Sequence, residues 1–261
     1  MPLPKIATPT HELVLPSTEK KIKYRPFLVK EEKILILALE SEDQKQITDA
    51  IKSTLKSCIQ TRGVKVEDLP TFDIEYIFLN IRGKSVGESL DVMVTCPDDG
   101  KTQVEHKIYI DEIKVEKNKK HNRDIKLDHA LTLRMKYPSL TQFVENNFNP
   151  SADDNLESSM NVIASCIDVV FNEDESWAAA DCTKKELNDW LETLNTNQFK
   201  EIETFFDTMP KLTHIIKVTN PNTKVESEVV MEGLMDLLQW ILFLEVRLLI
   251  FTHGIQVKIH L

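Results

Sequence analysis

Apolar positions recur at helical spacings over the first third of this chain, alternate along its middle, and return to helical spacings afterwards. Seven large apolar residues fall within the ten positions 72–81, FDIEYIFLNI. At about 100° per residue they divide onto two faces. Phe72, Tyr76 and Leu79 share one, and Ile74, Ile77, Phe78 and Ile81 share the other. Asp73 and Asn80 mark one polar seam between them, Glu75 and Arg82 the second. A helix apolar on two sides is covered on two sides. The stretch 69–88 is therefore expected to be the central element of a domain, with a helical layer against one face. A strand over 72–79 has the same apolar content, but Gly83 and Gly87 suit a helix end followed by a turn.

The flanks supply candidate layers. Five prolines, at 2, 4, 9, 16 and 26, break residues 2–27 into short extended pieces at 12–15 and 20–24. Such an arm pairs at a sheet edge, orders on a partner, or is a flexible tail. Residues 29–41 open on Glu31 and Glu32 and run into ILILAL, and the acidic start favours a helix. In 42–62, Ile47, Ile51, Leu55, Cys58 and Ile59 define an amphipathic helix with Gly63 as its closing residue. Pro70 suits the first turn of the central segment.

After Gly87 the period becomes two. Leu90, Val92 and Val94 alternate with polar residues, PDDGK turns the chain at 97–101, and Val104, Lys107, Tyr109 and Ile113 continue the strand-like stretch. The charged tract 114–126 reads as a solvated loop, and Ile125, Leu127, Leu131, Leu133 and Met135 as a further strand pair. Helices are then expected at 139–148, capped by Ser139, and at 151–171, opened by Ser151 and Asp154. The acidic NEDESWAAAD follows as a connection. TKKE at 183–186 is a capping box for a helix to about 194. Another helix, at 195–209, carries Phe199, Ile202, Phe205 and Phe206 and stops at Pro210. Residues 212–230 form a hairpin around NPNT, an apolar terminal helix begins at 232, and the final IQVKIHL alternates like a strand.

The fold class is thus α+β, with antiparallel β-hairpins and a small sheet packed against a mostly helical scaffold. The expected division is an extended arm at 1–28, an α+β core at 29–137, and a mainly helical region at 138–261 with its hairpin near 212–230.

Composition narrows the functional classes. At 261 residues the chain can bury one large core or two small ones. A net charge of −10 argues against a general nucleic-acid binder. Cys58, Cys96, Cys166 and Cys182 are widely spaced and no apolar leader opens the chain, so free thiols in a reducing cytoplasm are expected. Residues 234–251 are very apolar, yet Asp236, Glu245 and Arg247 interrupt them. A charge at the bilayer centre costs about 2.5–3.5 kcal/mol, which favours a buried helix over a membrane span.

Candidate chemistry is sparse. Cys96 has His106 and His121 downstream, but Asp98 and Asp99 stand where a zinc knuckle needs its second cysteine. Gly83-Lys84-Ser85 lacks the upstream glycine of a phosphate loop, since Leu79 holds that place. His11, His106, His121, His129, His214, His253 and His260 form no metalloprotease array, and no nucleophile elbow or dinucleotide turn occurs. Asp153-Asp154 and Glu173-Asp174-Glu175 suit a helix start and a solvated loop. No catalytic, cofactor-binding or metal-ligating residue is assigned, no cofactor is expected, and the chain reads as a non-enzyme. A hydrolase would need a cleft gathering His106 or His121 with acids.

One combined pattern carries further. ILILALES at 34–41, FDIEYIFLNIRGKSVGE at 72–88 with the alternating strand after it, MKYPSL at 135–140 and FFDTMPKLTHII at 205–216 occur in this order. Over about 30–233 the chain resembles the baseplate hub family of T-even-type contractile-tailed bacteriophages. The resemblance implies a late structural viral protein acting in tail and virion assembly, either a baseplate hub subunit or a hub-assembly chaperone. It implies hub, tape-measure or tube components as partners, leaves a homo-oligomer open, and implies neither nucleic acid nor membrane. The expected location is the host cytoplasm during assembly and, for a hub subunit, the tail baseplate of the virion. From about Leu237 the chain is more aliphatic than the family pattern, so no C-terminal interface is transferred. The rival reading is a membrane-associated protein anchored through 234–251.

Overall fold

The computed structural model describes residues 6–41, 43–128, 130–140 and 156–232. Backbone contacts group the chain into two units, Met1–Val66, Phe72–Val115 and Lys211–Leu261 in the first, Glu67–Thr71 and Glu116–Pro210 in the second. The boundaries expected at 28/29 and 137/138 divide the chain by element type. Contact groups it otherwise, because the segment before residue 29 and the hairpin after residue 210 both join the first unit.

In the first unit the proline-punctuated segment is a hairpin of β1 (His11–Val14) and β2 (Lys21–Tyr24), antiparallel in register. Prolines confine these strands to short pieces, and Leu13, Leu15, Ile22, Tyr24 and Phe27 are buried. The turn is fixed by Asp73, whose carboxylate accepts a 3.0 Å bond from the Ser17 amide and another from its hydroxyl. At the far end the Phe27 amide donates to Ser85 Oγ at 2.9 Å. Between these points Tyr24 bridges to Ile59, and the Gln60 amide donates to the Lys23 carbonyl at 2.8 Å.

Helix α1 (Val29–Glu40) has no serine or threonine cap. Glu31 replaces it, accepting from the Leu28 amide at 2.8 Å and from Arg25 at 2.9 Å. Burial pushes this carboxyl up, but Arg25, the Leu28 amide and Lys30 outweigh it and hold it below the ordinary range. Helix α2 (Gln44–Cys58) is capped by Asp43, which accepts from the Gln46 amide at 2.9 Å. Its apolar stripe, Ile47, Ile51, Leu55 and Cys58, is buried as the spacing predicts. It stops four residues before the expected end at 62, because Ile59 and Gln60 turn extended to pair with β2. Gly63, at φ +84°, shapes the turn beyond and does not close the helix.

The central helix α3 spans Thr71–Val86. Phe72, Ile74, Ile77, Phe78, Leu79 and Ile81 are all buried, and Tyr76 is half-buried. Two expectations fail here. Asp73, Glu75 and Arg82, read as polar seams, are buried as well. The helix also runs through Gly83 to Val86, so Lys84 and Ser85 are helical and not loop residues. Gly83 packs close to Ile110: a Cβ there would lie 2.9 Å from Ile110 Cδ1, and that side chain would have to shift. The turn follows at Gly87, where φ is +153°.

Strands β3 (Ser89–Thr95) and β4 (Gln103–Tyr109) pair as predicted around the PDDGK turn, with Gly100 at φ +64°. Strands β5 (Lys114–Glu116), β10 (Lys211–Thr219) and β11 (Glu226–Glu232) form a three-stranded sheet in the order β11-β10-β5. The β3–β4 and β10–β11 turns are tied together by Asn220. Its buried Nδ2 lies 3.0 Å from both oxygens of Asp98 and from Oδ2 of Asp99. Thr223 Oγ1 donates to Asp98 at 2.5 Å, and Asn222 Nδ2 donates to Thr102 Oγ1 at 3.0 Å. Asn220→Asp removes the donor and sets a third carboxylate against the other two. We expect a loss of about 2–3 kcal/mol, read as a lower urea midpoint, with Asn220→Gln intermediate.

The second unit contains β6 (Asp124–Lys126), β7 (Thr132–Met135), β8 (Ile167–Phe171) and β9 (Ser176–Ala178) as a four-stranded antiparallel sheet in chain order. Helices α4 (Leu156–Ser165), α5 (Lys184–Glu192) and α6 (Thr196–Thr208) accompany it. Leu133, Met135, Cys166, Ile167, Leu191, Ile202 and Phe205 are buried in its core. The Thr183–Glu186 capping box is present, and Asn195 with Gln198 forms a second. The helix expected over 151–171 ends at Ser165, because the β-branched run from Ile167 pairs with β7. The tract 114–126 contains β5 where a loop was expected, the strand pair expected from Ile125 to Met135 is present as β6 and β7, and NEDESWAAAD contains β9. Of the helix expected at 139–148, residues 141–148 lie outside the described residues, as do the terminal helix and strand beyond 232; Glu232, expected to open that helix, ends β11. The α+β class stands.

His121 clamps a loop of this unit. Its ring nitrogens lie 3.0 Å from Thr208 Oγ1 and 3.0 Å from Tyr137 OH, and its ring centroid lies 5.1 Å from that of Phe205. Burial, then Arg123, holds its pKa below the ordinary 6.5. The fold keeps the neutral ring while the unfolded chain takes up the proton first. Stability is therefore expected to decline as pH falls below about 6.5. Urea midpoints at about pH 7.5 and about pH 5.5 check this, and the difference should shrink in His121→Gln.

Candidate interaction surfaces

The side chains with chemical potential are mostly engaged in holding the fold. Ser85 Oγ donates to the Ile81 carbonyl at 2.6 Å while accepting from Phe27, and Lys84 pairs with Glu88. The Gly83-Lys84-Ser85 sequence is thus the interior and last turn of a helix, not a phosphate cradle. Cys96 is buried at the base of the β3–β4 turn, where burial and then Asp98 and Asp99 raise its pKa. Burial likewise pushes the Cys58 and Cys166 thiols up to about 11, so both are protonated and unreactive at neutral pH. All four cysteines are free.

His106 sits in β4 opposite Val92, whereas His121 belongs to the second unit. His11 lies in β1 and His214 in β10. His129, His253, His260 and Asp153-Asp154 lie outside the described residues, and Glu173-Asp174-Glu175 occupies the β8–β9 turn. Among the described residues no three His, Cys, Asp or Glu side chains are grouped to hold a metal ion. Among the same residues no helix is long and apolar enough to cross a membrane; the segment 234–251 is not among them.

What the structure does place together is apolar surface. Helix α1 turns Glu31, Leu35 and Ala38 inward. Its other side carries Val29, Ile34 and Leu37, which are 78%, 45% and 54% exposed. Val29, Lys33 and Leu37 form one row at i, i+4 spacing, and Lys30 and Ile34 lie beside it. Lys30, Lys33 and Glu40 are exposed on the same side, so the face mixes apolar residues with charges of both signs. Residues 1–66 carry twelve Lys and Arg against eight Asp and Glu, in a chain with 32 against 42 overall. This face therefore stands in the basic part of an acidic protein. It suits a partner surface that is apolar at its centre.

Sequence reasoning overlooked this face although its signal was present. Six successive apolar positions, 34–39, cannot all face one core on a helix, so some must point outward. A second exposed pair, Ile215 and Val230, lies directly cross-strand in β10–β11, at 50% and 53% exposure. Strand order decides that exposure, and periodicity alone does not disclose it.

A family model described as T4 bacteriophage base plate protein matches residues 8–239. No curated protein and no solved structure matches the chain. The matched span takes in both exposed apolar surfaces and every element of the two units described above.

Proposed function

The chain belongs to the T4 bacteriophage base plate protein family, and from that premise we propose that it acts in tail assembly as a baseplate hub protein or hub-assembly chaperone. It works without catalysis, through contacts with hub, tape-measure or tube components. It meets them in the host cytoplasm and, as a hub subunit, remains in the tail baseplate of the virion. The observation that carries this reading is the outward face of α1, where Val29, Ile34 and Leu37 are exposed beside Lys30 and Lys33. Single exposed apolar residues are ordinary, but three on one side of a helix that buries its opposite side suit a partner contact.

A tagged chain recovered from infected cells tests the proposal. Hub, tape-measure or tube proteins should co-purify with it, and a chain that associates with none of them contradicts the reading. Purified virions then separate the two roles. A hub subunit is present in them, whereas a chaperone is found with intermediates alone.

A further inference from the structure

We infer that the outer edge of β11 is a docking site for an extended, basic strand of a partner protein. This deepens the reading of the protein as one that works through partner contacts, and its experiment uses the purified chain and does not touch the α1 face. Strand β11 ends the order β11-β10-β5, and among the described residues it pairs with β10 and with nothing on its other side. Its seven residues, ESEVVME, are paired with β10 without a bulge and contain neither proline nor glycine. Edge strands are commonly blunted by proline, a bulge or charged side chains; β11 has neither proline nor bulge, and its charges are all acidic, which leaves the edge open to a basic strand. Its outward backbone groups can extend the ladder.

Charge selects the occupant. Glu226, Glu228 and Val230 alternate on the side of the sheet that shows Ile215 and Lys217, where Lys217 pairs with Glu228 at 3.3 Å. A second copy fits poorly. An antiparallel β11–β11 pair that keeps each sheet's core face on one side has three registers joining five or more residues. None of them sets a lysine or arginine against Glu226 or Glu228, since β11 holds neither, and one sets Glu228 against Glu228. Like charges directly opposite destabilise a cross-strand pair. A partner strand with lysine or arginine opposite Glu226 and Glu228 and an apolar residue opposite Val230 complements all three.

The test is a titration of the full chain with a short labelled peptide of alternating valine and lysine, alongside its valine–glutamate counterpart. Two further lysine peptides are N-methylated, one at odd and one at even positions. The lysine peptide should bind and the glutamate peptide should not. Glu226→Gln/Glu228→Gln, with an unchanged melting temperature, should weaken binding about fivefold. One N-methylated peptide should lose binding and the other keep it, because alternate amides face β11. Equal binding of both N-methylated peptides would reduce the effect to charge attraction and overturn the inference. So would equal binding of the acidic peptide. No binding of the lysine peptide also overturns it, showing that the edge is already filled by the chain itself or by a second copy.

Discussion

Removing residues 1–28 is expected to prevent the first unit from folding. The deletion strips Leu13, Leu15, Ile22, Tyr24 and Phe27 from its core, together with the partners of Asp73 and Ser85. Each buried side chain of this size contributes about 1.5–3 kcal/mol, so five, at about 7.5–15 kcal/mol, are comparable to the 5–15 kcal/mol that holds a whole domain. Upstream extended pieces that merely lay along a sheet edge could be removed with the central helix intact. Hydrogen exchange separates the cases. The truncated chain should lose amide protection along α3, whereas persistent protection there would show that the hairpin is dispensable.

Ile77→Ala is expected to cost about 2–5 kcal/mol. Ile77 is fully buried in α3, on a helix whose apolar residues face inward around most of its circumference, so no side is open to relax into the cavity. Ile34→Ala, on the outward side of α1, makes the control. The same truncation of a half-exposed isoleucine should change stability by no more than about 0.5 kcal/mol. Urea denaturation of both variants checks the contrast. Equal losses would mean that the α1 face is covered in the free protein.

The central helix was legible because its apolar residues lie close together and their number exceeds what one face can hold. Its end was misplaced at Gly83, since a glycine reads locally as conformational freedom. Here it serves an approach by Ile110, which arrives only after an intervening hairpin. The same kind of distant partner explains β8. Residues 151–171 have apolar content that suits a helix throughout, and pairing with β7 converts the part after Ser165 to strand. Lys114–Glu116 holds one apolar residue and becomes a strand because β10 lies beside it. Local signals with their partners close in sequence were reliable, as with the PDDGK hairpin, the TKKE capping box and the stop at Pro210. The absence of catalytic motifs pointed toward surfaces, but which surfaces stand open depends on strand order and helix packing.

The most direct measurement compares the tagged wild-type chain with Ile34→Glu/Leu37→Glu, recovered side by side from infected cells. Both positions are exposed, so the variant should fold and melt like the wild type. The wild-type chain is expected to bring down hub, tape-measure or tube components and the variant to lose them, because two carboxylates replace the apolar centre that a partner would cover. Recovery of the same components at wild-type levels by a folded variant would contradict a role for the α1 face in tail assembly.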